Sequence, residues 1–277
     1  MICSLAGATV VVPDLDLAIA AYRDFLGYVG PAPGLVGVQL AEAWGVAKAG
    51  EARMAVLRPA SGEPRFLRLV EGRADPSFAP LRTLGWTAIE IVVEDLAASA
   101  ERLSDSPFRI IGAPAVLDFD FTDALSAMQV VGPGGEILYL TQIDAEIPGF
   151  DLPRAHCAVG QMFITVLAAG DLAEATSFYA AAGRPAGPVF EARIEILTEA
   201  YGLPAGQRHR LTTIALGDNS LIEVDAFPKA AAIRPMSDIG LPSGIAMVSF
   251  HVSPEMLRPG EQAIIIGAAN EWIERLI

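Results

Sequence analysis

Between Val11 and Tyr28, in "VVPDLDLAIAAYRDFLGY", an apolar strand runs into an aspartate and then into apolar positions at helical spacing. Leu15, Ala18, Tyr22 and Phe25 share one face of the predicted helix. Asp14 precedes it as an N-cap, because a carboxylate there accepts from free amides of the first turn. The layout recurs in "VLAAGDLAEATSFYAAAG" (166–183), where Asp171 and Glu174 resemble a capping box and Leu172, Ala175, Tyr179 and Ala182 form the stripe. It recurs again in "WTAIEIVVEDLAASAERL" (86–103). The alternating runs "ARMAVLR", "RFLRLV", "RLTTIAL" and "SLIEVDAF" predict sheet strands. Each unit therefore reads as βαβββ, a sheet with a helix on one face. The other face must be covered or must form a cavity.

The echoes keep one spacing. Asp14 and Asp171 lie 171 − 14 = 157 apart, and Tyr22 and Tyr179 lie 179 − 22 = 157 apart. "AEAWG" (41–45) matches "TEAYG" (198–202), Arg53 matches Arg210, and Leu84 matches Leu241, all at 157. Such agreement indicates an internal duplication. Toward the end, "GPGGEILYL" (132–140) matches "GAANEWIERL" (267–276) at 267 − 132 = 135, so 157 − 135 = 22 residues are gone. The expected organisation is a first half at 1–145, with modules near 1–75 and 80–143, and a second half at 156–277, with modules near 158–228 and 242–277. The fold class is α+β, with tandem βαβββ modules and a fourth module that lacks about one helix. The surface bared by that loss must be covered by the third module or by a second chain, hence an expected homodimer. Proline-bearing linkers fall near 144–155 and 228–242.

Composition narrows the function classes. The chain has 277 residues, 52% hydrophobic and 19% charged, which fits a packed globular protein rather than disorder. A net charge of −14 repels phosphate backbones and anionic lipid, so neither nucleic acid nor membrane is expected as a partner. Two cysteines, Cys3 and Cys157, do not make a disulfide scaffold. With no basic leader and no long apolar run, the expected compartment is the cytoplasm.

The segments "VVPDLDLAIAAYRDFLGY", "VVEDLAASAERL", "AAGDLAEATSFYAAAG", "GPGGEILYL" and "NEWIERL" resemble the vicinal oxygen chelate superfamily, which contains glyoxalase I, bleomycin-resistance proteins and extradiol dioxygenases. The resemblance implies that paired modules curl into cups that hold a divalent metal. It places ligands seven residues before each acidic turn on the first strand and at a glutamate on the last strand. Carried onto this chain, the first-strand positions are Gly7, Ala88, Ile164 and Ala246. The last-strand positions are Arg68, Tyr139, Glu223 and Glu274. Only Glu223 and Glu274 remain as candidate metal ligands, and the expected histidines are missing. Zinc and iron sites usually add imidazole or thiolate, so the expected state is either no cofactor or a harder divalent ion. Arg68 and Tyr139, with the two glutamates, are the candidate ligand-binding residues. If modules one and four pair, Arg68 faces Glu274 as a structural ion pair.

Other features weigh toward structure. His156 beside Cys157 lacks an oxyanion motif. "RHR" (208–210) reads as a solvated strand entry or an anion contact. Trp44 and Tyr201 read as rim aromatics or turn packing. "DFDFTDAL" (118–125) reads as a lid over the cup of modules one and two, or as a crossing from helix to strand. The leading expectation is a protein that handles a small aromatic or dicarbonyl-like molecule in a cup whose metal site is incomplete. The alternatives are a metal-free sequestration protein, a metal-dependent ring-cleaving dioxygenase or lyase, and a purely structural role.

Overall fold

A computed structural model of the chain describes residues 1–258 and 261–277. The first module contains β1 (Ile2–Val12), α1 (Leu15–Leu26), β2 (Tyr28–Val29), β3 (Gly34–Leu35), α2 (Val38–Ala43), β4 (Arg53–Pro59) and β5 (Phe66–Glu71). The second contains β6 (Gly85–Val93), α3 (Leu96–Leu103), β7 (Arg109–Val116), β8 (Leu125–Val131) and β9 (Ile137–Ile143). The third contains β10 (Val159–Ala169), α4 (Leu172–Ala181), β11 (Phe190–Arg193), α5 (Glu195–Tyr201), β12 (Arg208–Ala215) and β13 (Leu221–Ala226). Among its described residues the fourth has only β14 (Ile245–Val252), β15 (Ile264–Ile266) and β16 (Trp272–Leu276), with a single helical turn where the others carry a helix. No helix is long and apolar enough to cross a membrane, among the described residues.

The helices start where the aspartates predict. Asp14 accepts from Leu17 N at 2.9 Å, Asp95 from Ala98 N at 2.9 Å, and Asp171 from Ala173 N at 2.7 Å and Glu174 N at 3.1 Å. Gly27 closes α1 at φ 68°, a left-handed conformation that costs glycine little.

Module one pairs with module four, and module two with module three. One sheet runs β15-β16-β14-β1-β5-β4-β2, with β3 also on β4, and the other runs β11-β12-β13-β10-β6-β9-β8-β7. In each sheet two first strands meet antiparallel at the centre, β1 with β14 and β6 with β10. Each first strand pairs parallel with its own module's last strand. The outer faces of both sheets and their helices share one core, in which Trp86 and Phe250 approach to 6.0 Å between ring centroids.

The repeated tyrosines have a common task. Tyr22 donates to Glu136 Oε1 at 2.7 Å, and Glu136 Oε2 accepts from Gly134 N at 2.7 Å. Tyr179 donates to Glu271 Oε1 at 3.0 Å, and Glu271 Oε2 accepts from Ala269 N at 2.8 Å. Each helix is thus pinned to the turn before the last strand of the following module. The second of these contacts brings α4 of the third module to the shortened fourth.

Candidate functional site

The two cups begin from the same strand positions and end differently. In register, the residue beside each last-strand position is Thr9 for Arg68, Glu90 for Tyr139, Val166 for Glu223 and Ser249 for Glu274. These first-strand residues replace the expected Gly7, Ala88, Ile164 and Ala246. For the first three modules the spacing to the acidic turn is five residues rather than seven, as in 14 − 9 = 5. Gly7 has its own reason to be glycine: a Cβ there would lie 2.3 Å from the Phe66 carbonyl oxygen.

The cup of modules one and four is filled by the chain itself. Trp44, which follows α2, is 2% exposed and packs with Val11, Val70, Ala246 and Met247 over the sheet. Glu274, 1% exposed, accepts from the Trp44 indole at 2.7 Å, from Arg68 at 2.9 Å and from the Ser249 hydroxyl. Arg68 also donates to Thr9 at 3.1 Å, and its guanidinium lies 4.8 Å from the Phe66 ring centroid. Both oxygens of Glu274 are therefore engaged, and its charge is met by a buried cation. Arg68 and Glu274 form a structural ion pair here.

The cup of modules two and three encloses a cavity of about 460 Å³. On its floor stand Glu90, Tyr139, Thr141 and Glu223, from β6, β9 and β13. Alternation places Asp225 on the same face of β13 as Glu223. Thr141 donates to Glu90 Oε2 at 3.0 Å, whereas Asp225, 2% exposed, has one oxygen with no partner. Burial raises the Glu90 carboxyl to about 8, helped by the Glu223 charge and opposed by the Thr141 hydroxyl. Burial, and then Asp225, hold Glu223 well above the ordinary carboxyl range. Asp225 is raised by the same desolvation, against its hydrogen bond with Glu223. Burial first, and then Asp225, Glu223 and Glu90, raise the Tyr139 phenol. The floor therefore carries protons near neutrality and can give or take them.

The mouth of this cup is aromatic. Phe121 stacks on Phe119 at 5.2 Å and on Phe150 at 5.6 Å, and both Phe119 and Phe121 meet Phe190 edge-on at 5.8 Å. "DFDFTDAL" supplies two of these rings. It joins β7 to β8 and covers the cup of modules two and three, not that of modules one and two. Asp118 holds the loop through Arg208 at 3.0 Å and Arg193 at 3.3 Å. His209 is buried beside Thr198, with its ring nitrogen 2.9 Å from the hydroxyl, so it is a packing residue of the strand rather than a solvated one.

Glu223 and Glu274 lie in different sheets, so they cannot grip one ion together. They would share a cup only if modules three and four were paired. Among the described residues, no group of three or more His, Cys, Asp and Glu is arranged to hold a metal. The open cup offers carboxyls and hydroxyls without imidazole, and the filled cup spends its carboxylate on Arg68, Trp44 and Ser249. Neither donor set fits a zinc or iron centre. Glu90 and Asp225 escape the sequence reading. The available signal was polarity at alternate positions of apolar strands: Ala88, Glu90 and Val92 on one face, Leu221, Glu223 and Asp225 on another.

No family model and no curated protein matches the chain. Solved structures do. Glyoxalase I from Zea mays aligns over 98% of this chain and 91% of its own, with a TM-score of 0.61 and 14% identity. A Bacillus subtilis protein named a "putative dioxygenase" aligns over 99% of this chain and 84% of its own, with a TM-score of 0.60 and 9% identity. At these identities the likeness is one of fold.

Proposed function

We propose that this chain, which has the vicinal oxygen chelate fold, binds a small organic molecule in the cup of its second and third modules without a complete metal centre. The observation that carries the reading is the contrast between cups. One is packed with Trp44 and neutralised internally; the other keeps about 460 Å³ open over proton-bearing carboxyls and under a phenylalanine mouth. A cavity of that size suits a drug-sized ligand, with apolar walls for affinity and a few polar groups for orientation. If the bound molecule reacts, Glu90 and Glu223 are the groups placed to move a proton to or from it.

The test is binding of a neutral aromatic dye, N-phenyl-1-naphthylamine. The dye is expected to brighten on binding to the native chain. It is expected to stay dim with Thr213→Trp, which puts an indole into the cavity. Equal brightening by a folded Thr213→Trp variant would sink the reading. A metal-dependent dioxygenase or lyase is the competing reading. Elemental analysis of protein purified without chelator or nickel column decides it: about one equivalent of a transition metal, lost in Glu223→Gln, would install the competitor.

A further inference from the structure

We infer that the open cup selects a cation, specifically a compact aromatic amine or amidine, over matched neutral and anionic molecules. This rests on the binding reading above and deepens it.

The two cups give an internal comparison. In the filled cup the last-strand pair is Arg68 and Glu274, and the carboxylate is met at 2.9 Å by the guanidinium. In the open cup the same two register positions hold Tyr139 and Glu223. A phenol stands where the cation stood. The open cup also adds Glu90 to its lining, at 5% exposure, while Asp225, 2% exposed, lies two residues from Glu223 on the same strand face. Among the described residues that line the cavity, the one basic side chain is Arg193, at the rim and 3.3 Å from Asp118. The other charged groups facing the cavity are Asp118, Glu195 and Glu199. Glu90 and Glu223 thus line the floor of the cup, Asp225 is buried next to Glu223 but outside the lining, and no basic side chain among the described lining residues meets the two floor carboxyls.

Burying a carboxyl without a counter-charge is costly, and proteins normally pair it, hydrogen-bond it or leave it protonated. Here Glu90 accepts from the Thr141 hydroxyl, and no salt bridge among the described residues meets Glu90 or Glu223. The hydrogen-bond donors that satisfy Glu274 in the filled cup are an indole N–H, a guanidinium and a hydroxyl. In the open cup, a bound ammonium or amidinium would supply the corresponding donors. Its aromatic body would lie among Phe119, Phe121, Phe150 and Phe190, whose ring faces favour both apolar contact and a neighbouring cation. Binding a cation stabilises the carboxylate form, so a floor proton leaves to solvent as the ligand arrives. A carboxylate ligand finds no basic side chain on the floor, and each floor carboxyl that ionises repels it.

The experiment is calorimetry at pH 7 with tryptamine and benzamidine, against indole and indole-3-propionate, in two buffers of different ionisation enthalpy. The amines are expected to bind at least tenfold more tightly than indole, with proton release, and indole-3-propionate is expected not to bind. Glu223→Gln should cost the amines at least tenfold and leave indole within twofold. Tyr139→Arg, which reproduces the filled cup's cation, should abolish amine binding in a protein that circular dichroism shows to be folded. Indole or indole-3-propionate binding as tightly as the amines would overturn the inference while leaving the cup as a ligand site. Amine binding unchanged in both variants would also overturn it. Failure of the amines to bind a chain that does bind N-phenyl-1-naphthylamine would overturn this inference alone, and failure of every compound, that dye included, to bind would overturn this inference and the function reading together.

Discussion

Glu90 stores a pH dependence in a single side chain. Its carboxyl titrates at about 8 in the folded chain, against about 4.5 when unfolded, because burial disfavours the charge. Between those values the folded state holds a proton that the unfolded state has released. Stability therefore falls as pH rises through that window, at most about 1.4 kcal/mol per pH unit for this group, and is flat beyond it. Glu90→Gln keeps an acceptor for Thr141 and cannot ionise. The variant is expected to match the native chain near pH 5 and to be more stable at pH 8.5, by on the order of a few kcal/mol. Urea unfolding at the two pH values checks this, and an equal difference at both would refute the assignment. Tyr139 was visible in the sequence because the glycine turn that recurs at 132 and 267 anchors its strand, and Glu223 because the alternating run "SLIEVDAF" marks its own. Glu90 was hidden because a fixed count from Asp95 landed on Ala88, the same face but one inward position away. Only strand pairing settles which inward residue stands beside Tyr139.

At the scale of elements, the tyrosine repeat was legible as a pattern but its purpose was not. Tyr22 and Tyr179 recur at one spacing and Glu136 and Glu271 at another, 271 − 136 = 135. Nothing in either spacing says that they meet. In the fold each hydroxyl crosses to a buried glutamate of the next module and fixes a helix to a turn. Burial raises Glu136 to about 7, while the Tyr22 hydroxyl and the Gly134 amide pull it down. Tyr22→Phe removes a donor that the carboxylate needs more than the acid does. The variant is expected to lose about 1–3 kcal/mol, with the larger loss above pH 7 where the native glutamate is ionised. Thermal unfolding at pH 5.5 and pH 8.5 measures it. A cost that does not grow with pH would mean that the glutamate is not the partner that matters. Tyr179→Phe tests the second copy against Glu271, which burial also raises. The same scale explains the misplaced lid. "DFDFTDAL" was readable as a cover, but its assignment to a cup depended on which module lay opposite, and its Arg208 partner is 90 residues away.

For the whole molecule, four modules were countable from the repeats, whereas their pairing was not. All four first strands carry long apolar runs, so β1 is compatible in composition with either β6 or β14. Tertiary connections outside the repeats accompany the observed pairing and hold the two sheets against each other. Ala232 of the linker bridges to Thr83, and Arg234 donates to the carbonyls of Leu84, Ser243 and Ile245, which draws the starts of β6 and β14 together. Tyr28 reaches the Gly160 carbonyl at 3.0 Å, and the Trp86 indole reaches the Trp272 carbonyl at 2.8 Å. Each sheet thus takes strands from both sequence halves. Cutting the chain between Phe150 and Asp151 would strip β14 to β16 from one sheet and β10 to β13 from the other. It would leave β1 and β6, long and apolar, as bare edges that invite aggregation. Fragments 1–150 and 151–277 are therefore expected to be insoluble or loosely structured when made separately, and to combine into one soluble 1:1 complex when made together. Size-exclusion chromatography and urea unfolding decide it. A cooperative, monomeric unfolding transition from either fragment alone would show that a sequence half is a folding unit, and the shared core between the sheets would then be a docking contact rather than the centre of the fold.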